Sequence, residues 1–219
     1  MSVQTHHGTS GLTPVAWTRE ASREDLRVPG FLLFLMAAQF MTVIMLGAST
    51  APGYNFNEAA ISDLGVIEET ALLFNASLIA VGVLNLAGGY LFYRWHAKAW
   101  LLGLFGLAGI GAAGAGAVSL NTSDLHSLFA LVAFVFFNLE AIGCAAVLPG
   151  PMKVISVLAG SIGFVFVVLM VIGDGGNPDA FGVIGHGGTE RMIVYPAMLW
   201  MMALGGYLMA SPRTEPSRR

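Results

Sequence analysis

The chain has 219 residues, of which 56% are hydrophobic and only 11% are charged, with a mean hydropathy of +0.73 and a formal net charge of −3. Soluble domains carry about 25% charged residues, so this composition excludes an ordinary soluble protein and a basic nucleic-acid-binding protein. The composition therefore predicts an integral membrane protein with one domain and membrane lipids as partners.

Long apolar runs predict an all-α, six-helix transmembrane bundle. About 20 apolar residues in a helix cross a hydrocarbon core of about 30 Å, and backbone exposed to lipid must be hydrogen-bonded internally. Six runs satisfy this length, at residues 31–49, 70–93, 99–119, 126–148, 153–173 and 190–210. We therefore predict a membrane domain over residues 29–210, an N-terminal tail over 1–28 and a C-terminal tail over 211–219.

The positions of lysine and arginine predict the orientation, because short cytoplasmic loops are enriched in these residues. Every lysine and arginine except Arg191 falls on one side of the predicted spans: Arg19, Arg23, Arg27, Arg94, Lys98, Lys153, Arg213, Arg218 and Arg219. We expect both termini to be cytoplasmic in a multi-pass protein of the cell membrane. Loops 50–69, 120–125 and 174–189 then face outward.

Polar residues that are unusual for a membrane protein collect on the predicted outer side. The first outer loop contains Ser62 and Asp63 within apolar residues at helical spacing, which predicts a short amphipathic helix lying in the interface. The candidate ligand-binding residues of this side are Ser62, Asp63, Asp124, His126, Glu190, Arg191 and Tyr195. Together they predict an outward-facing polar pocket for a lipid headgroup or a small polar ligand.

Arg191 has two interpretations. An arginine beside an apolar groove can bind a phosphate with two parallel hydrogen bonds, which favours a headgroup site. Alternatively, it anchors the helix end by reaching headgroups or by pairing with a nearby carboxylate.

Two histidines of the outer side open an enzymatic alternative. His126, His186 and Glu190 are chemically able to bind zinc, as in a zinc-dependent membrane lipid hydrolase, although no spacing motif brings them together. Without zinc, no cofactor is expected. Whether the protein is an enzyme, and whether it forms a homo-oligomer, stays open.

Three polar residues lie inside the predicted spans. Glu140 follows His126 by fourteen residues, about 20 Å along the helix axis and on nearly the same face. A protonated Glu140 bonded to Asn85 or Gln39 would join helices, whereas an active Glu140 would suit a small transporter or a proton-linked channel.

Several segments resemble a known family. "NEAAISDLG", "LFNASLIAVGVL", "DLHSLFALVAFVFFNLEAIG" and "GGTERMIVYP" resemble the multi-pass membrane proteins of the domain of unknown function 998 (DUF998) family. This resemblance implies the six-span architecture and carries no activity. The layout is also distantly similar to the Frag1/DRAM/Sfk1 group, which is associated with lipid and membrane homeostasis, and less closely to ceramidase-like hydrolases, which hold zinc with three histidines.

Overall fold

The computed structural model describes residues 26–210, and within this range the chain forms six α-helices and no β-strand. The helices are α1 (Arg27–Thr50), α2 (Ala71–His96), α3 (Ala99–Ala117), α4 (Leu125–Cys144), α5 (Gly150–Asp174) and α6 (Gly185–Ala210). Apart from residues 26–28, the predicted tails lie outside the described residues.

All six helices are long and apolar enough to cross a membrane, which confirms the predicted multi-pass helical architecture. Their ends fall within a few residues of the predicted spans. The largest difference at a C-terminus is in α4, which ends at Cys144, while residues 145–147 form turns before Pro149. Proline lacks the backbone N–H of a helix and disfavours helical geometry in the residue before it, so the chain turns here and restarts as α5.

The helices pack as a closed ring in chain order. Each helix packs against its neighbours in sequence, α1 packs against α6 to close the ring, and α4 makes weaker contact with α6. Consecutive helices usually lie next to each other in space, and the connections from α2 to α5 are short enough to favour this arrangement. As a result, the loops between α1 and α2, α3 and α4, and α5 and α6 meet at one end of the bundle. We call it the loop end; it corresponds to the predicted outer side.

Small residues bring α2 and α3 into close contact. A Cβ atom added to Gly82 in α2 would collide with the Gly109 carbonyl and with Ala113 in α3, and one added to Gly109 would lie 2.8 Å from the Gly82 carbonyl. Close packing between small residues is a main source of attraction between helices in lipid. The glycines therefore serve packing within the bundle.

The first loop at the loop end differs from the predicted amphipathic helix. In the structure, residues 51–70 form turns and a single 3-10 helix, Ser62–Gly65. The Asp63 carboxylate accepts a hydrogen bond from the Ala60 backbone N–H at 2.8 Å, a local bond that competes with regular helix. The polar residues of this loop are therefore partly used to fold the loop itself.

Candidate functional site

Glu190 and Arg191 join the start of α6 to the first loop. The Glu190 side chain is 4% exposed, and its Oε2 atom accepts a hydrogen bond from the backbone N–H of Ile61, with Ser62 N–H as a further donor. Ile61 directly precedes the 3-10 helix Ser62–Gly65. Glu190 thus acts as a cap supplied by another helix, satisfying N–H groups that a helix start leaves without partners.

The Arg191 guanidinium is occupied by groups of the protein. Its Nη1 donates to the carbonyls of Phe56 and Ala59, both at 3.0 Å, and to the Gly187 carbonyl at 2.7 Å, while Nη2 donates to the Tyr54 hydroxyl at 2.6 Å. The guanidinium carbon also lies 4.7 Å from the centre of the Phe56 ring, within cation–π range. Only Nε is left without a partner, and it is buried. This geometry favours the interpretation of Arg191 as an anchor.

Tyr54 completes this connection. Its hydroxyl donates to the Ala60 carbonyl at 2.7 Å while accepting from Arg191. Burial raises the pKa of Tyr54 to about 12, and the adjacent Arg191 only partly opposes this effect. The phenol therefore stays protonated at neutral pH and keeps its donor role.

A groove and a cavity lie next to each other beneath the first loop. The groove runs between the loop-end halves of α4 and α5, has about 1150 Å³ of space including its open side, and contains Asp63, Asp174 and His186 in its wall. The cavity lies deeper in the bundle, is narrow and mostly apolar, and has about 570 Å³ of space including its open part. The two share a neck formed by Ser62, His126, Ala130, Phe134 and Glu190. The groove wall thus carries several polar side chains, and the neck places it next to a mostly apolar cavity.

His126 occupies the neck with one nitrogen unused. Its Nδ1 atom lies 2.7 Å from the Val118 carbonyl oxygen, which can only accept, so Nδ1 carries the hydrogen. The residue is 3% exposed, and its Nε2 atom is buried without a hydrogen-bond partner. In α4, Ala130, Ala133 and Phe137 follow His126 on the same helical face and line the cavity, whereas Glu140, predicted on nearly the same face, does not.

The three candidate zinc ligands lie around the same groove but do not form a metal group. His186 Nε2 is 3.2 Å from Asp174 Oδ1, His126 is bonded to Val118, and Glu190 is bonded to the first loop. Within residues 26–210, no three His, Cys, Asp or Glu side chains gather closely enough to hold a metal ion. The donor set that tetrahedral zinc needs is therefore incomplete in this arrangement.

The match to a protein family covers most of the helical ring and all five neck residues. A family model described as a protein of unknown function (DUF998) matches residues 34–207. The chain belongs to the DUF998 family. This finding confirms the predicted family, whereas the distant similarity to the Frag1/DRAM/Sfk1 group stays a prediction. Comparison with curated proteins and with solved structures finds no match.

Two other candidate residues of this DUF998 protein lie away from the groove. Asp124 is exposed just before α4, and Tyr195 is partly buried against the core; neither lines the groove or the cavity. The loop end thus brings together Ser62, Asp63, His126, His186 and Glu190. Arg191 lies beside them in α6, with its guanidinium packed against the first loop.

Glu140 joins helices of the DUF998 bundle. The Asn85 side chain in α2 donates to Glu140 Oε2 in α4 and to the Phe105 carbonyl in α3, each at 3.1 Å. Gln39 has a different partner, because it accepts a hydrogen bond from Ser77 at 2.7 Å. Glu140 is fully buried and does not line the cavity, which favours the interpretation as a contact between helices.

Asn138 and Tyr54 are polar residues of the site that the sequence analysis missed. Asn138 lines the cavity, and its Nδ2 donates to Phe134 O at 2.8 Å and to Ile193 O at 3.3 Å. An asparagine in the middle of a predicted span is a signal that could have been used. Tyr54 gave no such signal, since its partners Arg191 and Ala60 are set by the folded loop.

Proposed function

We propose that this protein binds an amphiphilic ligand, a lipid or a small molecule with a polar head, in the groove and cavity at the loop end. The observation that carries the proposal is the shared neck, whose five residues line both the groove, with Asp63, Asp174 and His186 in its wall, and the mostly apolar cavity. Binding sites for small molecules are mainly apolar with a few placed polar groups, and this arrangement has both parts. The head would contact Ser62, Asp63, His126 and Glu190, and the apolar part would enter the cavity.

Arg191 has a supporting role in this proposal. Its guanidinium holds the first loop over the groove through the carbonyls of Phe56 and Ala59. The loop in turn supplies Ser62 and Asp63 to the groove wall. Arg191 therefore shapes the site, and the phosphate contact expected of an unpaired arginine is replaced by bonds within the protein.

We further propose that the protein lies in the cell membrane with the loop end outside. The placement of basic residues supports this orientation. It can be tested on Cys144→Ser, which removes the single cysteine of the chain, by adding one cysteine at Asn121 or at Lys153. A membrane-impermeant maleimide applied to intact cells should label the cysteine at 121 and leave the one at 153 unlabelled. The opposite pattern would contradict the orientation.

The binding proposal is tested by closing the neck. Ala130 lines both the groove and the cavity, so Ala130→Trp should fill the passage between them. Leu128→Trp is the matched control, because Leu128 is 56% exposed on the same helix and lines neither space. Lipid extracted from each purified protein is measured by mass spectrometry. We expect a specific lipid to be lost from Ala130→Trp and kept by Leu128→Trp; equal retention in both would contradict the proposal.

A further inference from the structure

We propose that the groove selects an amphiphile with a protonated amine as its head, and that Nε2 of His126 accepts one of the amine hydrogens. This inference rests on the proposed function and names the chemistry of its ligand. It stands on two independent observations, the unused nitrogen of His126 and the absence of any lysine or arginine of the described residues from the walls of the groove and the cavity.

The state of the His126 ring defines what its ligand must supply. Because Nδ1 donates to the Val118 carbonyl, Nε2 of the neutral ring can only accept a hydrogen bond. Nε2 is buried and has no partner in the protein. A buried acceptor without a partner is unfavourable, so a ligand that brings an N–H group to the neck is stabilised by satisfying it.

The carboxylates of the groove are hydrogen-bond acceptors, as Nε2 of His126 is. Asp63, Asp174 and Glu190 line the groove, and of the residues that the structure describes, no lysine or arginine lines either the groove or the cavity. Arg191 adjoins Glu190 and its charge acts on that carboxylate, but its guanidinium lines neither space and already donates to three carbonyls and to Tyr54. An anionic head would therefore meet carboxylates, of which Asp174 pairs with His186, and no lysine or arginine of the described residues in the wall, whereas an ammonium head is complementary to the carboxylates.

The apolar cavity distinguishes an amphiphile from a soluble amine. The cavity is narrow, which suits a single alkyl chain. Burial of such a chain in the cavity removes apolar surface from water. At the groove, Leu131 in α4 and Val171 in α5 are also exposed on the outside of the ring, 39% and 52% respectively. The groove wall thus continues into the lipid-facing surface, from which a chain can enter.

The test compares four probes on the purified full chain in a neutral detergent at pH 7: dodecylamine, dodecyl phosphate, dodecanol and ethylamine. Unfolding is followed with a thiol-reactive dye, since the single cysteine, Cys144, is fully buried and reacts only after unfolding. A ligand that binds the folded state raises the melting temperature as its concentration rises. We expect the largest rise with dodecylamine, a smaller one with dodecanol, and none with dodecyl phosphate or ethylamine.

Variants test the contacts of the amine head and the role of the cavity separately. His126→Leu and Asp63→Asn should each weaken the binding of dodecylamine by roughly tenfold, which corresponds to the loss of one good polar contact. Asp124→Asn is the control, because Asp124 is exposed at the same end and lines neither space. Asp63→Asn keeps an oxygen for the Ala60 N–H, so it remains informative if His126→Leu fails to fold. Ala130→Trp should abolish the rise in melting temperature that dodecylamine causes.

Each outcome has one meaning. Equal or stronger stabilisation by dodecyl phosphate, still lost in Ala130→Trp, would overturn the amine head and retain the binding site. An effect of ethylamine equal to that of dodecylamine would overturn the amphiphile and point to a soluble amine. Stabilisation that survives Ala130→Trp would be an effect of the micelle, and it would overturn both the inference and the proposed function, as would no stabilisation by any probe.

Discussion

Replacing Arg191 by alanine tests whether this residue anchors the first loop or binds a ligand. The change removes the guanidinium that bridges α6 to the carbonyls of Phe56 and Ala59. Hydrogen bonds with a charged partner contribute about 1.5 kcal/mol each at the lower end of their range. Counting only these two bonds, since the Gly187 carbonyl lies on α6 itself and the Tyr54 hydroxyl keeps its bond to the Ala60 carbonyl, the folded state should lose about 3 kcal/mol.

The loss should appear as a lower melting temperature. For a chain of this size, 1 kcal/mol corresponds to about 2–4 °C, so Arg191→Ala should melt about 6–12 °C below the wild type. The dye assay on buried Cys144 measures this difference. Arg191→Lys should give an intermediate value, because one ammonium cannot reproduce the planar fork that reaches two carbonyls and Tyr54.

Lys153→Ala is the control, since it removes an exposed basic residue at the start of α5. The anchoring role would be refuted by an Arg191→Ala protein that melts like this control. If such a protein also lost its bound lipid, Arg191 would contact a headgroup, as the first interpretation of the sequence proposed.

Three further variants test the packing and the polar contacts. Gly82→Ala should cost about 1–3 kcal/mol, because its methyl group collides with Gly109 of α3, whereas Gly106→Ala, with open space around it, should be neutral or stabilising in the same melting assay. Equal effects would contradict the close contact. Asn85→Leu should destabilise by about 1–2 kcal/mol and Glu140→Gln by less, since glutamine keeps an oxygen for Asn85; a larger effect of Glu140→Gln would indicate a role for the carboxylate charge. Tyr54→Phe tests pH dependence: the folded pKa of about 12 lies above the unfolded value of about 10, so the phenol stabilises fully below about pH 10 and loses this effect as the pH approaches 12. Between about pH 10 and pH 12, the melting temperature of the wild type should therefore fall more than that of Tyr54→Phe. Melting temperatures that fall equally with pH in the two proteins would refute this.

Local patterns in the sequence were sufficient to predict the membrane helices. Apolar runs of sufficient length leave helix as the available structure in lipid, and the structure confirms six such helices. The face of α4 that carries His126, Ala130, Ala133 and Phe137 was also predictable, because helical periodicity depends only on residues close in the chain. The same holds for the small residues of α3, whose role in close packing follows from their size.

Contacts between distant parts of the chain decided the roles of the polar residues. Arg191 and its partner Tyr54 are 137 residues apart, and Glu140 and Asn85 are 55 apart. The spacing of residues could not show whether Arg191 was free, which partner Glu140 would choose, or whether His126 and His186 would share a metal. The first loop shows the same limit: its helical spacing predicted an amphipathic helix, but bonds to Glu190 and Asp63 hold it as turns and a short 3-10 helix.

Sequence by itself determined the membrane helices and their faces, because both follow from local geometry and hydrophobicity. Only the tertiary structure decided which polar groups are occupied and which, like Nε2 of His126, are left without a partner in the protein, because hydrogen bonds are directional and their partners come from distant segments.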